Sequence, residues 1–217
     1  MKKIAIILSG CGVYDGSEIH ESVLTLLAIE QEGATYRCFA PNINQHHVIN
    51  HLTGEVNKDE TRNVLVESAR IARGDIEDIT ELYQDEFDAL IFPGGFGAAK
   101  NLCTFALDAE NYQINDEVLT AAQSFIKAKK PLGFMCIAPA MIPLVFGEDA
   151  QGTIGKDRDI AESLMNRGLA HVDCEVDDII VDEQRKLVST PAYMLATSLV
   201  EAASGINKLV KKVISLS

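Results

Sequence analysis

Basic residues and long apolar runs are both scarce in this sequence, and each shortage excludes a class of protein. The chain has 19 Lys and Arg residues against 32 Asp and Glu residues, which gives a net charge of -13. This charge repels phosphate backbones and anionic lipid surfaces, so we expect no nucleic-acid partner and no membrane partner. No apolar run approaches the roughly 20 residues that span a bilayer. The first run, residues 4–8, is also too short for the apolar core of a signal peptide.

Cysteine pairs and nucleotide-binding motifs are also missing. The five cysteines are odd in number, widely spaced and without a CxxC pair: Cys11, Cys38, Cys103, Cys136 and Cys174. This usage indicates a reducing environment rather than a disulfide framework or a zinc site, and we expect a cytoplasmic protein. The sequence contains neither a Walker motif nor a GxGxxG fingerprint, which disfavours a phosphate-binding role.

Patterns typical of buried strands alternate with helical patterns along the chain. The continuous apolar run 4–8 indicates a strand covered on both faces, and further strands are predicted to end at Phe39, Phe92 and Met135. Helical spacing of apolar residues predicts helices from about residue 19 to Gly33, and over 61–72, 115–128, 155–166 and 193–214, the last interrupted near Gly205. Shorter strands are predicted near 170–174, 179–181 and 187–189. The alternation predicts an α/β protein with a doubly wound, mainly parallel sheet, in one domain over residues 1–217.

The patterns of the first helix and of residues 43–83 give two further predictions. In the first helix, the spacing of Ile19, Val23, Leu26 and Leu27 predicts that these side chains face the core. Residues 43–83 have a less regular pattern, with 48–53 a candidate extended segment. This region is longer than a minimal connection between a strand and a helix, and we interpret it as an elaboration.

Cys136 is the strongest candidate for a reactive side chain. It follows the apolar run 131–135 and precedes a proline-containing turn, which matches the general form of a nucleophile elbow. A helix that begins near Pro139 would direct its free N–H groups at the sulfur and favour the thiolate. The alternative is a buried, inert thiol, which is common for free cysteine.

Three loops that follow strands are predicted to meet at the carboxyl edge of the sheet. The loop after Leu8 leads to Glu18, the loop after Phe92 contains Gly94 and Gly95, and the third begins at Cys136. Glu18 is predicted to share a proton with the Cys136 thiol, although its position in the first helical turn also suits a helix cap.

Backbone N–H groups of the glycine turn and of the residue after the cysteine are candidate oxyanion donors. Gly94 and Gly95 let the backbone approach a substrate closely, and the N–H of Ile137 follows the nucleophile. A tight strand-to-helix turn that needs glycine dihedrals is the alternative explanation of the glycine pair.

Histidine is the usual partner of a catalytic cysteine, but the spacing places none of the five beside Cys136. His20 lies close to Glu18 in sequence and points either to the site or to solvent. Three histidines lie in the elaboration: His46, His47 and His51. They are candidates for surface residues, for part of a lid or for metal ligands, but no accompanying Cys or carboxylate pattern makes a metal site specific. His171 is interpreted as structural.

The loops described above carry a family resemblance. The chain resembles the class I glutamine-amidotransferase-like superfamily, in the branch with intracellular proteases, the Parkinson-associated deglycase and small cysteine glyoxalases. It is most similar there to the ElbB-type isoprenoid-biosynthesis glyoxalases, also called the sigma cross-reacting protein family. The runs that carry the resemblance are 8–21 (LSGCGVYDGSEIHE), 50–55 (NHLTGE), 93–102 (PGGFGAAKNL), 133–140 (GFMCIAPA) and 190–194 (TPAYM).

This resemblance implies a flavodoxin-like fold, a homodimer, Cys136 as nucleophile and Glu18 as the superfamily's glutamate beside it. It also implies a weak glyoxalase that converts glyoxal to glycolate without glutathione, metal or other cofactor, with a link to isoprenoid production. Donors at Gly95 and Ile137 would stabilise the oxyanions. No histidine follows Cys136 or lies in 190–194, which argues against amide hydrolysis. Protein deglycation and redox sensing through the same cysteine remain alternative functions.

Overall fold

The structure is a computed structural model that describes residues 1–217, and a seven-stranded sheet forms its centre. The strands in chain order are β1 (Lys3–Ile7), β2 (Thr35–Ala40), β3 (Ile76–Asp78), β4 (Ala89–Phe92), β5 (Leu132–Met135), β6 (Gln151–Gly152), β7 (Ala170–His171), β8 (Ile180–Asp182) and β9 (Leu187–Thr190). The large sheet has the order β3-β2-β1-β4-β5-β9-β8, while β6 pairs with β7. All pairs in the large sheet are parallel except β8 with β9. The predicted mainly parallel, flavodoxin-like fold is confirmed.

Helices cover both faces of this sheet. The six α-helices are α1 (Ile19–Gln31), α2 (Val64–Ile71), α3 (Asp116–Lys127), α4 (Ile142–Phe146), α5 (Arg158–Met165) and α6 (Leu199–Leu216). Successive residues of a strand point to opposite faces. On β5, Gly133 faces Leu209 and Val213 of α6, whereas the Phe134 ring packs against Phe146 of α4. These two helices therefore lie on opposite faces of the sheet.

The core explains why the central strands have no polar alternation. Residues 4–8 are fully buried, as are all four residues of β4, because both sheet faces are covered. The core forms one cluster of 52 buried residues. Its packing brings the carboxyl ends of β1, β4 and β5 side by side, which is where a ligand site is expected in an open parallel sheet.

The buried face of α1 differs from the prediction. Ile19, Val23 and Leu27 are 43%, 49% and 47% exposed and form a stripe along the outer face of the helix. The buried face instead includes Ser22 and Thr25, whose hydroxyls donate to backbone carbonyls of the same helix at 2.7 Å. Because these hydroxyls are satisfied within the helix, their burial costs little.

The region 43–83 contains more structure than its sequence pattern indicated. It contains α2, the unpredicted edge strand β3, and isolated antiparallel bridges that join Ile49 to Val56 and Asn44 to Asn63. The segment packs over the loop that follows β1, since Ile49 N–H donates to the Asp15 carboxylate at 2.7 Å. Periodicity did not reveal β3 because a three-residue strand is too short for a pattern.

The last helix is continuous through Gly205, contrary to the predicted interruption. This glycine marks a close approach. A Cβ atom at Gly205 would lie 2.6 Å from Thr190 Oγ1 and 2.7 Å from the carbonyl oxygen of Val176. The absence of a side chain therefore lets α6 approach the end of β9.

Replacing Gly205 with alanine tests this explanation. Alanine favours an isolated helix by about 1 kcal/mol over glycine, but here the added methyl group overlaps its neighbours. We expect Gly205→Ala to lower the free energy of unfolding by roughly 1–3 kcal/mol in chemical denaturation. Ser204→Ala in the same helix is the control and should change it by less than about 0.5 kcal/mol. A stabilised Gly205→Ala protein would contradict the packing explanation.

Candidate active site

Cys136 occupies a strained turn directly after β5. Its φ angle of 59° lies in the left-handed region, which a residue with a side chain rarely adopts. The backbone N–H of Cys136 donates to the carbonyl of Thr190 at 3.1 Å, which ties the turn to the end of β9. A short 3-10 helix over Ala138–Met141 follows and leads into α4. This geometry is that of a nucleophile elbow.

The glycine turn after β4 packs against the cysteine. A Cβ atom at Gly94 would lie 2.4 Å from the Cβ and 3.0 Å from the Sγ of Cys136, so only glycine fits there. The backbone N–H groups of Gly95 and Ile137 both donate toward the sulfur and favour its ionised form. The structure thus brings the predicted Gly94, Gly95 and Ile137 together around Cys136. Their roles in stabilising an oxyanion remain predictions.

Glu21 is the carboxyl group that hydrogen-bonds with Cys136. Its side chain is fully buried within the first turn of α1. Its Oε2 atom accepts from the N–H of Gly94 at 2.9 Å, and its Oε1 atom accepts from the N–H of Tyr193 at 3.1 Å. The thiol is therefore held between one carboxyl group and two backbone donors.

Burial changes the ionisation of both groups. It raises the pKa of Glu21 to about 7, against the donors at Tyr193 and Gly94 that lower it. Burial also raises the pKa of the Cys136 thiol well above its ordinary value, and the neighbouring Glu21 carboxylate raises it further. The predicted helix effect on the thiol is thus outweighed. The two groups therefore form a coupled unit in which ionisation of one disfavours ionisation of the other.

Glu18 does not occupy the position that we predicted for it beside the thiol. It is the N-cap of α1, and its Oε2 atom accepts from the N–H of Glu21 at 2.7 Å. Its backbone N–H donates to the carbonyl of Gly94 at 3.0 Å. The shared-proton partner of Cys136 is therefore Glu21, because the capping bond holds the Glu18 carboxylate at the helix end. Glu18 still lines the cavity beside the cysteine.

The position of Glu21 could not be read from the capping pattern. An N-cap residue followed three positions later by a glutamate is a capping box, in which that glutamate folds back on the N-cap backbone. Here Glu21 instead points to the glycine turn. The sequence signal was a second carboxylate in the same helical turn, which we passed over in favour of the first.

A cavity of about 360 Å³ opens above the cysteine. Eleven residues line it, nine of them hydrophobic, and Cys136 and Glu18 are among the eleven. Tyr193 lies in the wall, where its hydroxyl is 3.1 Å from Nδ1 of His20. His20 is half exposed, 3.9 Å from Glu18. His20 thus reaches the edge of the site without contacting the thiol.

The other histidines belong to the surrounding structure. His51 accepts a hydrogen bond from the N–H of Tyr14 at 3.2 Å, and His46 packs edge-on against His47. His171 accepts from the N–H of Ile154 at 3.3 Å. No group of three or more His, Cys, Asp or Glu side chains is arranged to hold a metal ion. None of these four histidines lines the cavity that contains Cys136.

The remaining cysteines differ from Cys136 in their surroundings. All five are free thiols. Burial raises the pKa of Cys38 and Cys103 to about 12 and that of Cys174 to about 11. Burial also raises the pKa of Cys11, which is partly exposed. Cys136 alone of the five lines the cavity.

The raised pKa of Glu21 makes stability depend on pH. An unfolded chain would hold this carboxyl at its ordinary pKa of 4.5, against about 7 when folded. The folded state therefore binds the proton more tightly, and this contribution is present at low pH and lost as the pH rises through about 7. At about 1.4 kcal/mol per pKa unit, it amounts to about 3 kcal/mol.

We expect Glu21→Gln to remove this pH dependence from the free energy of unfolding measured between pH 4 and 8. The control, Glu32→Gln at the exposed end of α1, should keep the wild-type profile. Identical profiles for wild type and Glu21→Gln would show that the carboxyl keeps its ordinary pKa.

Comparisons with known proteins give close relatives, although no family model matches the chain. It is 44% identical to the mitochondrial ES1 protein homolog of Rattus norvegicus, over 99% of this chain and 84% of that protein. It is 43% identical to the mitochondrial glutamine amidotransferase-like class 1 domain-containing protein 3 of Homo sapiens, over 99% of this chain and 83% of that protein. The ES1 protein of Danio rerio, also mitochondrial, is 34% identical over 89% and 77%.

Solved structures support the same relationship. An isoprenoid biosynthesis protein with an amidotransferase-like domain from Ehrlichia chaffeensis superposes with a TM-score of 0.93 at 38% identity, covering 100% of this chain and 99% of that one. Glyoxalase III from Candida albicans superposes with a TM-score of 0.63 at 13% identity, covering 99% and 97%. At that identity the similarity shows the shared fold alone.

The names of the three curated relatives contradict our expectation of a cytoplasmic protein, since all three are called mitochondrial. The expectation failed because unpaired cysteines indicate a reducing environment without identifying the compartment. No helix has the length and apolar character needed to cross a membrane. The extent and identity of the matches show that the chain belongs to the family of ES1 proteins and glutamine amidotransferase-like class 1 domain-containing protein 3, within the class I glutamine-amidotransferase-like superfamily.

Proposed function

We propose that the protein is a cofactor-independent glyoxalase that converts small 2-oxoaldehydes to 2-hydroxy acids. The observation that carries the proposal is the coupled pair of Cys136, at the floor of a mostly apolar cavity, and Glu21, buried behind it. A thiol with a built-in proton acceptor is suited to add to an aldehyde. The isoprenoid-biosynthesis name of the Ehrlichia chaffeensis relative supports a link to that pathway as part of the proposal.

The first step transfers the thiol proton to Glu21 and adds the Cys136 sulfur to the aldehyde carbon. This forms a carbon–sulfur bond and converts the carbonyl oxygen to an oxyanion. The N–H groups of Gly95 and Ile137 already donate toward the sulfur and lie close to the new oxyanion. The product of this step is a hemithioacetal.

The second step moves a proton between the two substrate carbons, and Glu18 is the carboxylate that faces the substrate. Glu21 is fully buried and does not line the cavity, whereas Glu18 does. Glu18 removes the hydrogen of the first carbon and returns it to the second, while the thiol proton ends on the new hydroxyl group. The resulting thioester is hydrolysed by water, which releases the hydroxy acid and restores the thiol. The two glutamates thus have separate roles.

The absence of histidine at the thiol supports slow aldehyde chemistry over amide hydrolysis. An amide needs a general acid to protonate its leaving nitrogen, which histidine commonly supplies. His20 contacts Tyr193 and lies 3.9 Å from Glu18, without contact to the sulfur. An aldehyde has no leaving group, so the arrangement suits it better.

Protein deglycation and redox sensing remain alternatives. Deglycation uses the same steps on an aldehyde already attached to an amino group. Oxidation of Cys136 needs the same thiolate character as addition to an aldehyde, but it gives no role to the Glu18 carboxylate that lines the cavity. We therefore favour turnover of free 2-oxoaldehydes.

Three variants test the proposed roles with two measurements. Glycolate formed from glyoxal, followed by NMR, reports turnover and excludes scavenging by amines. The rate at which iodoacetamide alkylates the Cys136 peptide, followed against pH, reports the thiolate.

Cys136→Ala should form no glycolate. Glu21→Gln should lower the apparent pKa of the thiol by removing the like charge, and Glu18→Gln should leave it unchanged. Both glutamine variants should lose about 100-fold or more in turnover.

The outcomes separate the parts of the mechanism. Wild-type glycolate formation by Cys136→Ala would overturn the glyoxalase function. Normal turnover by Glu18→Gln would instead assign the proton transfer between the two substrate carbons to Glu21. An unchanged dependence of the alkylation rate on pH in Glu21→Gln would show that Glu21 and the thiol do not share a proton.

A homodimer is the second part of the proposal. The family resemblance implies it, and the exposed apolar stripe of Ile19, Val23 and Leu27 on α1 supports it. Monomeric proteins rarely leave a contiguous apolar stripe in solvent. We place the dimer contact at this helix.

Sedimentation velocity tests the dimer. The wild-type chain should sediment as a dimer, and Val23→Lys should sediment as a monomer because it buries an unpaired charge in the contact. Val66→Lys is the matched control, since Val66 is an exposed apolar residue on α2 at 62% exposure. A monomeric wild type, or equal effects of both lysines, would contradict this placement.

A further inference from the structure

The cavity above Cys136 is much larger than glyoxal requires. Its volume of about 360 Å³ lies within the range of about 300–1,000 Å³ found for pockets that bind drug-sized ligands. It is also roughly ten times the volume of one water molecule in the liquid, about 30 Å³. Glyoxal consists of two carbons and two oxygens with their hydrogens. When it is attached to the sulfur, most of the cavity stays unfilled by substrate.

The wall that glyoxal would leave uncovered is apolar. Phe96, Phe105, Ile160 and Met194 contribute to it, and they come from four different segments of the chain. Phe105 is almost fully buried and is held edge-on against Tyr112. Burying apolar substrate surface against such side chains removes it from water, which stabilises the complex. The wall therefore favours a substrate with an apolar substituent.

The charge of the cavity excludes a second group of substrates. No Lys or Arg lines it, and its one carboxylate belongs to Glu18. A carboxylate on the substrate would face this charge, and the nearby Lys100 ammonium group lies over the Phe96 ring and donates to the carbonyl of Tyr14 without lining the cavity. The substrate carboxylate would also lie near the buried Glu21. Like charges at short range in a partly buried site repel strongly.

We propose that this site selects uncharged 2-oxoaldehydes that carry a bulky apolar group, such as an aryl or branched alkyl group, on the ketone carbon. This inference rests on the proposed function and names its substrate class. The balanced reaction adds one water to the 2-oxoaldehyde and gives the corresponding 2-hydroxy acid. With phenylglyoxal the product is mandelate.

Binding is tested without turnover, by protection of Cys136 from iodoacetamide. Acetophenone has the aryl ketone but no aldehyde, so it can occupy the cavity without reacting. We expect acetophenone to slow alkylation of the Cys136 peptide with an apparent affinity at least about 10-fold higher than that of acetone. Benzoate, which has the same ring and a negative charge, should protect as weakly as acetone. Cys11, which lies outside the cavity, is the internal reference and should be unprotected.

A variant that fills the cavity connects binding to specificity. Ala106 lines the cavity and is exposed, so Ala106→Phe should fold and occupy the space meant for the substituent. We expect it to weaken acetophenone protection by about 10-fold or more, and to lower the ratio of kcat/KM for phenylglyoxal to kcat/KM for glyoxal by a similar factor. Leu107→Phe adds the same ring at the next residue, which is exposed and lies outside the cavity, and should match wild type.

Equal protection by acetophenone, acetone and benzoate would overturn the inference, as would an unchanged preference in Ala106→Phe. The outcomes for the proposed function are separate. Selective protection by acetophenone without turnover of any 2-oxoaldehyde would refute the glyoxalase reaction and retain the ligand class. Turnover of glyoxal without any preference for phenylglyoxal would refute the proposed ligand class and retain the glyoxalase reaction.

Discussion

The buried hydrogen bond between Glu21 and Cys136 is the interaction around which this end of the molecule is built. A carboxyl group without solvent is stable only if it keeps a proton or receives hydrogen bonds. Glu21 has both means, because it shares a proton with the thiol and accepts from Gly94 and Tyr193. Each of these partners lies beyond a different strand of the sheet. The parallel strands are thus required to end at the same level, which the order β1-β4-β5-β9 provides.

The packed sheet also supports the strain at the cysteine. A positive φ angle at a residue with a side chain costs on the order of 1–3 kcal/mol, and Cys136 has a φ angle of 59°. The bond from its N–H to Thr190 and the close contact with Gly94 hold it in this conformation. Below it, β5 is fully buried between helices on both faces. The rigid core thereby keeps the sulfur pointed at the cavity.

Much of this arrangement could be read from the sequence, since apolar runs identify buried strands and each run ends at a loop. That reasoning placed Cys136, Gly94 and Gly95 at one edge of the sheet, where the structure has them. It assigned the contact with the thiol to Glu18 instead of Glu21, because the two glutamates lie three residues apart at the start of α1 and only side-chain direction distinguishes them. It placed Ile19, Val23 and Leu27 of α1 in the core for a related reason, whereas Leu26 is buried as predicted. The hydroxyls of Ser22 and Thr25 donate to backbone carbonyls one turn earlier, so these polar residues can be buried. The polarity of the residues therefore does not distinguish the outer face of α1 from its buried face.

The bond from the Tyr193 N–H to the Glu21 carboxylate joins residues that are 172 positions apart. The environment of the thiol is therefore complete only when the first helix and the segment after β9 have docked on the same sheet edge. Contacts of such long sequence separation form at a high entropic cost and depend on the whole topology. The ionisation of a single sulfur thus reports whether the two ends of the chain have come together. The surroundings of the thiol are thus completed together with the fold.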